Sequence, residues 1–200
     1  MLLEESTAES FMSKNLVKAF SDSSASTAVR LMVQHNIGCI LVEDVEGVAG
    51  LFTERDLLSN ILGRGRRVEE PILMEVMTRS FNVLRPDTTL TDAAKMMRQK
   101  KGRLVVFEDS IPVGIVTATD IVREIYRFGR AFDFSGAYSK EVFQEGPKVE
   151  VEQIIRLMDK HRIGSVLISE GRMPHAIFTE RDLLRAVLSP DLVSGSLFMW

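Results

Sequence analysis

Three times in this 200-residue chain a threonine and an aspartate stand three residues apart behind an apolar run: Thr53 with Asp56, Thr117 with Asp120, and Thr179 with Asp182. Such a pair does two kinds of chemistry. At a helix start the hydroxyl accepts from a backbone N–H one turn in and the carboxylate returns a bond. This capping box is worth about 1 kcal/mol. The same geometry suits a ligand. A helix N-terminus offers unsatisfied N–H groups and partial positive charge to a phosphate, and the hydroxyl can donate to a phosphate oxygen. The carboxylate can accept from the vicinal hydroxyls of a ribose. Capping alone would accept Ser, Asn or Asp first and Glu or Gln last, so three identical choices lean towards a ligand. Gly50 and Gly114, before two of the threonines, are expected to let backbone come close to it.

The elements that must position these pairs repeat. FTERDLL occurs at 52–58 and, unchanged, at 178–184, an offset of 126, and VTATDIV stands between them at 116–122. The aspartates at 56, 120 and 182 set steps of 64 and 62, and a period of this kind decides the fold. Each copy begins with an amphipathic helix whose apolar positions follow i, i+3, i+4, i+7: Ala25, Ala28, Val29, Met32; Leu90, Ala93, Ala94, Met97; Val151, Ile154, Ile155, Met158. Ser24, Thr89 or Thr91, and Glu150 stand where caps belong. Two apolar runs joined by a polar turn then read as a hairpin, with Cys39–Val42, Leu104–Phe107 and Ser165–Ile168 as first strands. The second helix starts at the threonine and carries Leu57, Leu58, Ile61, Leu62, then Ile121, Val122, Ile125, Tyr126, then Leu183, Leu184, Val187, Leu188. Lead-in strands contain Leu16–Val17, Phe81–Val83 and Val142–Phe143.

Composition narrows the class. The net charge of -3 argues against a nucleic-acid binder, which needs a basic footprint. One cysteine, Cys39, makes no internal disulfide and with three histidines no Cys/His zinc site. No apolar run reaches membrane-span length and the N-terminus is acidic where a signal peptide is basic, so a cytoplasmic protein without membrane partners is expected. No Ser/His/Asp arrangement or P-loop is present, so no catalytic residues, metal or catalytic cofactor are assigned, and an enzyme is not expected.

A unit of about 60 residues in β-α-β-β-α order resembles the CBS (cystathionine β-synthase) motif. The marks are FMSKNLV (11–17) and VMTRSFNV (76–83) as lead-ins, NIGCILVED (36–44) and RIGSVLISE (162–170) as first core strands, and GLFTERDLL (50–58) and GIVTATDIV (114–122) as helix starts. The resemblance implies an α/β (α+β) fold of tandem CBS motifs: motif 1 at 9–65, motif 2 at 72–128 and pairing with motif 1 in a disc-like module, an aromatic linker at 129–138, motif 3 at 139–190, and a tail or the start of a truncated fourth motif at 191–200. It implies a regulatory module that binds AMP, ADP, ATP or S-adenosylmethionine in clefts between paired motifs. The alternative is a dimerisation or interaction scaffold with empty clefts.

Clefts similar to those of the γ subunit of AMP-activated protein kinase would place the ligand as follows. One site would combine Thr53 and Asp56 with the second lead-in, Thr78, Phe81 and Val83, and with Arg103 as phosphate cation; a solvated strand-end charge is the other reading of Arg103. The second would combine Thr117, Asp120 and Pro112 with the first lead-in, Ser13, Leu16 and Val17, with Gly38 and Cys39, and with Arg55 as cation or as an ordinary helix charge. Thr179 and Asp182 would serve motif 3, which departs from the pattern: Ala176 replaces the glycine and no fourth motif follows to pair with it. A homodimer through motif 3 is therefore expected, since an unpaired apolar sheet face is avoided by monomers. The aromatic Phe128, Phe132, Phe134 and Tyr138 of the linker either cap a core or dock a regulated protein partner, and LFMW at the end resembles the start of a further copy or an apolar tail.

Overall fold

The structure, a computed structural model, describes residues 5–100, 102–127, 139, 141–171 and 173–188. The aromatic linker residues and the 191–200 tail lie outside them.

Each repeat builds the same three-stranded sheet with helices beside it. Copy one has β1 (Lys18–Phe20), α2 (Ala25–His35), β2 (Cys39–Asp44), β3 (Gly47–Thr53) and α3 (Glu54–Asp56), which runs on through a π turn at Leu57–Ile61 and a 3-10 turn at Leu62–Arg64; the short helix α1 (Ala8–Phe11) precedes it. Copy two has α4 (Leu73–Val76), β4 (Asn82–Leu84), α5 (Leu90–Lys100), β5 (Leu104–Glu108), β6 (Ile111–Val116) and α6 (Ala118–Arg127). Copy three has β7 (Gln144–Glu145), α7 (Val151–His161), β8 (Ser165–Glu170), β9 (Met173–Thr179) and α8 (Glu180–Ala186). The strand orders are β1-β2-β3, β4-β5-β6 and β7-β8-β9. Each hairpin carries a register shift at the same place, Val42/Glu43, Val106/Phe107 and Ile168/Ser169. The expected α/β repeat and its three hairpins are therefore present. The lead-in strands lie one to three residues later than expected, because Leu16–Val17 and Val142–Phe143 precede their strands. The short helices α1 and α4 went unread, since a single turn leaves no periodicity; each forms because it buries an apolar pair, Ala8 with Phe11 and Leu73 with Val76.

Sequence chemistry explains the helix starts. Ser24 caps α2 by accepting from the Thr27 N–H. Asp92 N–H reaches Thr89 at α5, and the Lys95 ammonium with the Thr89 hydroxyl holds the Asp92 carboxyl below the usual carboxylate range. Helices α2 and α7 end on Asn36 and Arg162 in the left-handed conformation, with His35 and His161 as their last residues, where cations suit the helix dipole.

The described residues fall into two compact units, and the division runs through the repeats. One unit holds the residues up to Lys18 with those from Arg79 to Arg127; the other holds Ala19–Thr78 with those from 139 onward. Copies one and two have thus exchanged their lead-ins. Within the first unit Ser13 bridges Ile115 of β6, N–H to carbonyl in both directions at 2.9 and 3.0 Å. Within the second, Thr78 bridges Leu51 of β3 at 2.9 and 2.8 Å.

This exchange corrects the reading of the two glycines. A Cβ on Gly50 would stand 2.7 Å from the Thr78 carbonyl oxygen and 2.9 Å from the Met77 sulfur, and one on Gly114 would collide with Met12. The close approach that glycine permits is that of the exchanged lead-in, not of a ligand. The matching Ala176 of copy three, opposite Ile168 as Gly50 is opposite Val42, is exposed, and no lead-in covers it among the described residues.

Copy three has a neighbour in the chain through its helices, whereas no partner covers its sheet face among the described residues. In the second unit α8 contacts α2 and α3, and α7 contacts the π and 3-10 turns of copy one. Arg55 Nη2 meets Glu180 Oε1 at 2.6 Å and Arg181 Nε meets Glu54 Oε1 at 3.1 Å. The contact is reciprocal: the two Thr-Glu-Arg-Asp segments cross, and each glutamate takes the other's arginine. Leu58 (0% exposed) and Leu184 (2%) are buried on these helices. The sheet face of copy three is different, with β9 exposed from Met173 to Ile177.

Gly50→Val should overpack the Thr78 junction and cost on the order of 1–3 kcal/mol. Ala176→Gly, at the uncovered counterpart, should cost no more than about 1 kcal/mol. Thermal unfolding of both variants checks this; equal midpoints would contradict the exchanged-lead-in role of Gly50.

Candidate functional site

Each threonine–aspartate pair closes a full box. Asp56 Oδ2 accepts from the Thr53 N–H (2.9 Å) and Thr53 Oγ1–H (2.7 Å). Asp120 Oδ2 accepts from Thr117 at 2.9 and 2.6 Å, and Asp182 Oδ2 from Thr179 at 2.9 and 2.7 Å. The local sequence dictates this, since each threonine leaves a strand in extended conformation and its helix needs a cap.

The second carboxylate oxygen separates the three copies. Asp56, buried, accepts at Oδ1 from the Thr78 hydroxyl of the exchanged lead-in at 2.7 Å and from Asn60 Nδ2 at 3.2 Å. Asp120, also buried, accepts at Oδ1 from Arg123 at 3.1 Å, an i,i+3 pair whose arginine side chain is 60% exposed. Asp182 is half-buried, and its Oδ1 takes no bond among the described residues.

A further anchor lies one helical turn after the aspartate, where i and i+4 share a face. Asn60 donates to the Val76 carbonyl of the second lead-in at 2.8 Å. Glu124, buried on α6, accepts from the Ser6 hydroxyl at 2.8 Å ahead of the first lead-in, and from Arg127 at 3.1 Å. Copy three has Ala186 there. The sequence reading missed Asn60, Glu124, Ser6, Met12 and Met77. A comparison of the positions four after each aspartate would have found the first two, since polar, polar and alanine follow the presence and absence of a lead-in.

The other expected site residues are distributed as follows. Thr53, Asp56 and Thr78 come together in the second unit. Phe81, Val83 and Arg103 belong to the first: Phe81 stacks on Phe107 at 6.4 Å, Val83 is the exposed centre of β4, and Arg103 precedes β5, half-buried. Ser13, Thr117 and Asp120 share the first unit with half-buried Leu16, Val17 and Pro112. Gly38, Cys39 and Arg55 belong to the second unit: the Gly38 carbonyl accepts from Glu54 N–H at 3.3 Å, Cys39 is buried at the start of β2, and Arg55 pairs with Glu180 while its Nη1 is buried without an acceptor among the described residues.

A sheet hairpin flanked by two helices, repeated with a strand-to-helix Thr-x-x-Asp each time, defines a class of tandem α/β repeat. The CBS domain profile matches residues 8–63, 73–127 and 139–189, and the chain belongs to the CBS domain family, with three motifs. CBS domains are in general regulatory modules. A 33.4 kDa protein of a ribosomal RNA operon in Thermofilum pendens is 27% identical over 195 residues, covering 90% of this chain and 64% of that protein. CBSX3, a mitochondrial CBS domain-containing protein of Arabidopsis thaliana, is 30% identical over 52% of this chain and 54% of its own length. The chain therefore spans between half and two thirds of these relatives. Among solved structures, protein MJ1225 of Methanocaldococcus jannaschii, described as a candidate archaeal homologue of γ-AMPK, superposes with a TM-score of 0.81 over 96% of this chain and 77% of its own, at 13% identity, which shows the fold. The CBS domain pair of protein MJ0100, solved with 5'-methylthioadenosine and S-adenosyl-L-methionine, gives 0.56 over 62% of this chain and 98% of its own, at 25% identity.

Glu124→Ala should remove the buried carboxylate that accepts from Ser6, leaving that hydroxyl only Ser10 at 3.0 Å, and cost about 1–3 kcal/mol. Urea unfolding measures it, and a stability equal to that of the parent chain would show that the bond does not hold the first lead-in.

Proposed function

We propose that this chain is a ligand-sensing regulatory module that takes an adenosine compound (AMP, ADP, ATP or S-adenosylmethionine) at the helix starts of copies one and two and acts by binding rather than by turnover. The observation that carries the reading is the exchanged lead-in. It brings a second segment, Thr78 or Ser13, to each of these Thr-x-x-Asp starts, so that a ligand seated there would touch two motifs at once and report on their arrangement. The methylthioadenosine and S-adenosylmethionine complex of the MJ0100 domain pair supports the ligand class.

The two sites differ in readiness. A ribose diol at Asp56 must displace Thr78 or Asn60 from Oδ1. At Asp120 it displaces only an exposed arginine, a pair of small worth in water. Asp120 is the stronger ribose acceptor in this reading. Leu16, Val17, Phe81, Val83, Arg103 and Pro112 in the first unit, and Gly38, Cys39 and Arg55 in the second, are proposed as further ligand-contacting residues, each within its own unit. Thr179 and Asp182 form the least complete start, since among the described residues no lead-in reaches β9. A regulated protein partner and a second copy of the chain complete the proposal. Among the described residues no helix is long and apolar enough to cross a membrane.

A second reading rests on the capping boxes themselves. All three carboxylates already serve their helices, as a scaffold with empty clefts requires. Isothermal titration with AMP, ATP and S-adenosylmethionine separates the readings. Binding should be weakened more by Asp120→Ala than by Asp56→Ala. Absence of heat with all three compounds would leave the scaffold.

A further inference from the structure

The position three after the aspartate separates the copies. It is Ser59 in copy one, Arg123 in copy two and Arg185 in copy three. Arg185 lines a crevice of α8 against α2, with Met32, Val33 and Asn36, and leaves Asp182 Oδ1 without a bond among the described residues. On α6 that side is open: Val122 is 62% and Tyr126 82% exposed, where Leu58 and Leu184 are buried. Arg123 turns back on its own helix instead, Nη1 to Asp120 Oδ1 at 3.1 Å, with its side chain 60% exposed and that of the aspartate 5%. A helical side chain leans towards the N-terminus, so this guanidinium lies over the first turn of a ten-residue helix, at its positive end.

We propose that Arg123 sets the charge of the ligand at copy two, so that this site takes an adenosine compound with a 5'-phosphate in preference to the uncharged and sulfonium members of the class. The inference rests on the ligand reading above. Its basis is an exchange of partners. Asp120 Oδ2 is committed to the Thr117 N–H and hydroxyl, so a ribose diol must take Oδ1 and displace the arginine. The pair is exposed on the arginine's side and is given up at small cost. The displaced cation then lacks an acid. Glu124, the next carboxylate of α6, is buried and already accepts from Ser6 and Arg127. A 5'-phosphate supplies the missing partner, because guanidinium and phosphate pair through two parallel hydrogen bonds. A neutral 5'-substituent leaves the guanidinium unpaired. S-adenosylmethionine sets a sulfonium where a nucleotide has its phosphate, and like charges repel. Ser59, at the same place in copy one, makes no such demand, so the preference belongs to copy two.

The test is isothermal titration of the full chain with AMP, adenosine and 5'-methylthioadenosine, repeated with Arg123→Gln and Arg123→Lys. The parent chain should bind AMP about tenfold tighter than either uncharged nucleoside, as one hydrogen-bonded charge pair supplies. Arg123→Gln should remove that margin: AMP weakens about tenfold, while adenosine and methylthioadenosine keep or gain affinity because they no longer displace a cation from Asp120. Arg123→Lys should restore part of it. A class of site at copy one should not move with either variant. The arginine is exposed, so thermal unfolding should give the three chains closely similar midpoints. A parent chain that binds adenosine as tightly as AMP overturns the proposal and leaves the ligand reading standing. So does an Arg123→Gln chain in which AMP and adenosine weaken together, or in which neither moves. Absence of heat with every compound overturns both.

Discussion

A pair of backbone hydrogen bonds ties a serine or threonine of one repeat's lead-in to the second hairpin strand of the other: Ser13 to Ile115 and Thr78 to Leu51. These bonds need the strand and the incoming chain in close contact, and only a residue without a Cβ allows it at Gly50 and Gly114. A methionine then fills the niche, Met77 on one and Met12 on the other, and a flexible thioether side chain suits an irregular gap. From this contact follow the interleaving of copies one and two, the position of Thr78 on Asp56, and the polar anchors Asn60 and Glu124 that hold the lead-ins one turn after each aspartate.

Among the described residues copy three lacks all of these at once. It has Ala176 for the glycine and Ala186 for the anchor, and its aspartate is only half-buried. What it keeps is the helical face, and the unchanged heptapeptide at 52–58 and 178–184 has a physical reason there. Each segment's glutamate meets the other segment's arginine, so the same residues satisfy both sides. Copies one and two thus retain what an exchanged lead-in needs, and copies one and three what a helix-to-helix contact needs.

The repeat, its hairpins, the buried faces of the first helices and the capping boxes were legible in the sequence, because each rests on local periodicity or on residues three apart. Val122 and Tyr126 show the limit. Their spacing in α6 is that of Leu58 and Leu62, but spacing cannot tell a covered face from an open one. The glycines show another: Gly50 and Gly114 announced a close approach, yet whether ligand or chain makes it depends on Met12 and Met77, far away in sequence. Arg55, a candidate phosphate cation, is engaged by Glu180, a contact 125 positions away that no local pattern contains. The short helices α1 and α4 hid for the opposite reason, being too short to have a period.

In the proposed reading, an exchanged lead-in is what makes a Thr-x-x-Asp start into a ligand site. A crystal structure of the chain grown with AMP or S-adenosylmethionine tests it most directly. The account predicts an adenosine compound beside Thr117 and Asp120 or beside Thr53 and Asp56, with its ribose on the aspartate, and none at Thr179 and Asp182. A ligand at copy three alone, or one seated away from all three aspartates, would contradict it.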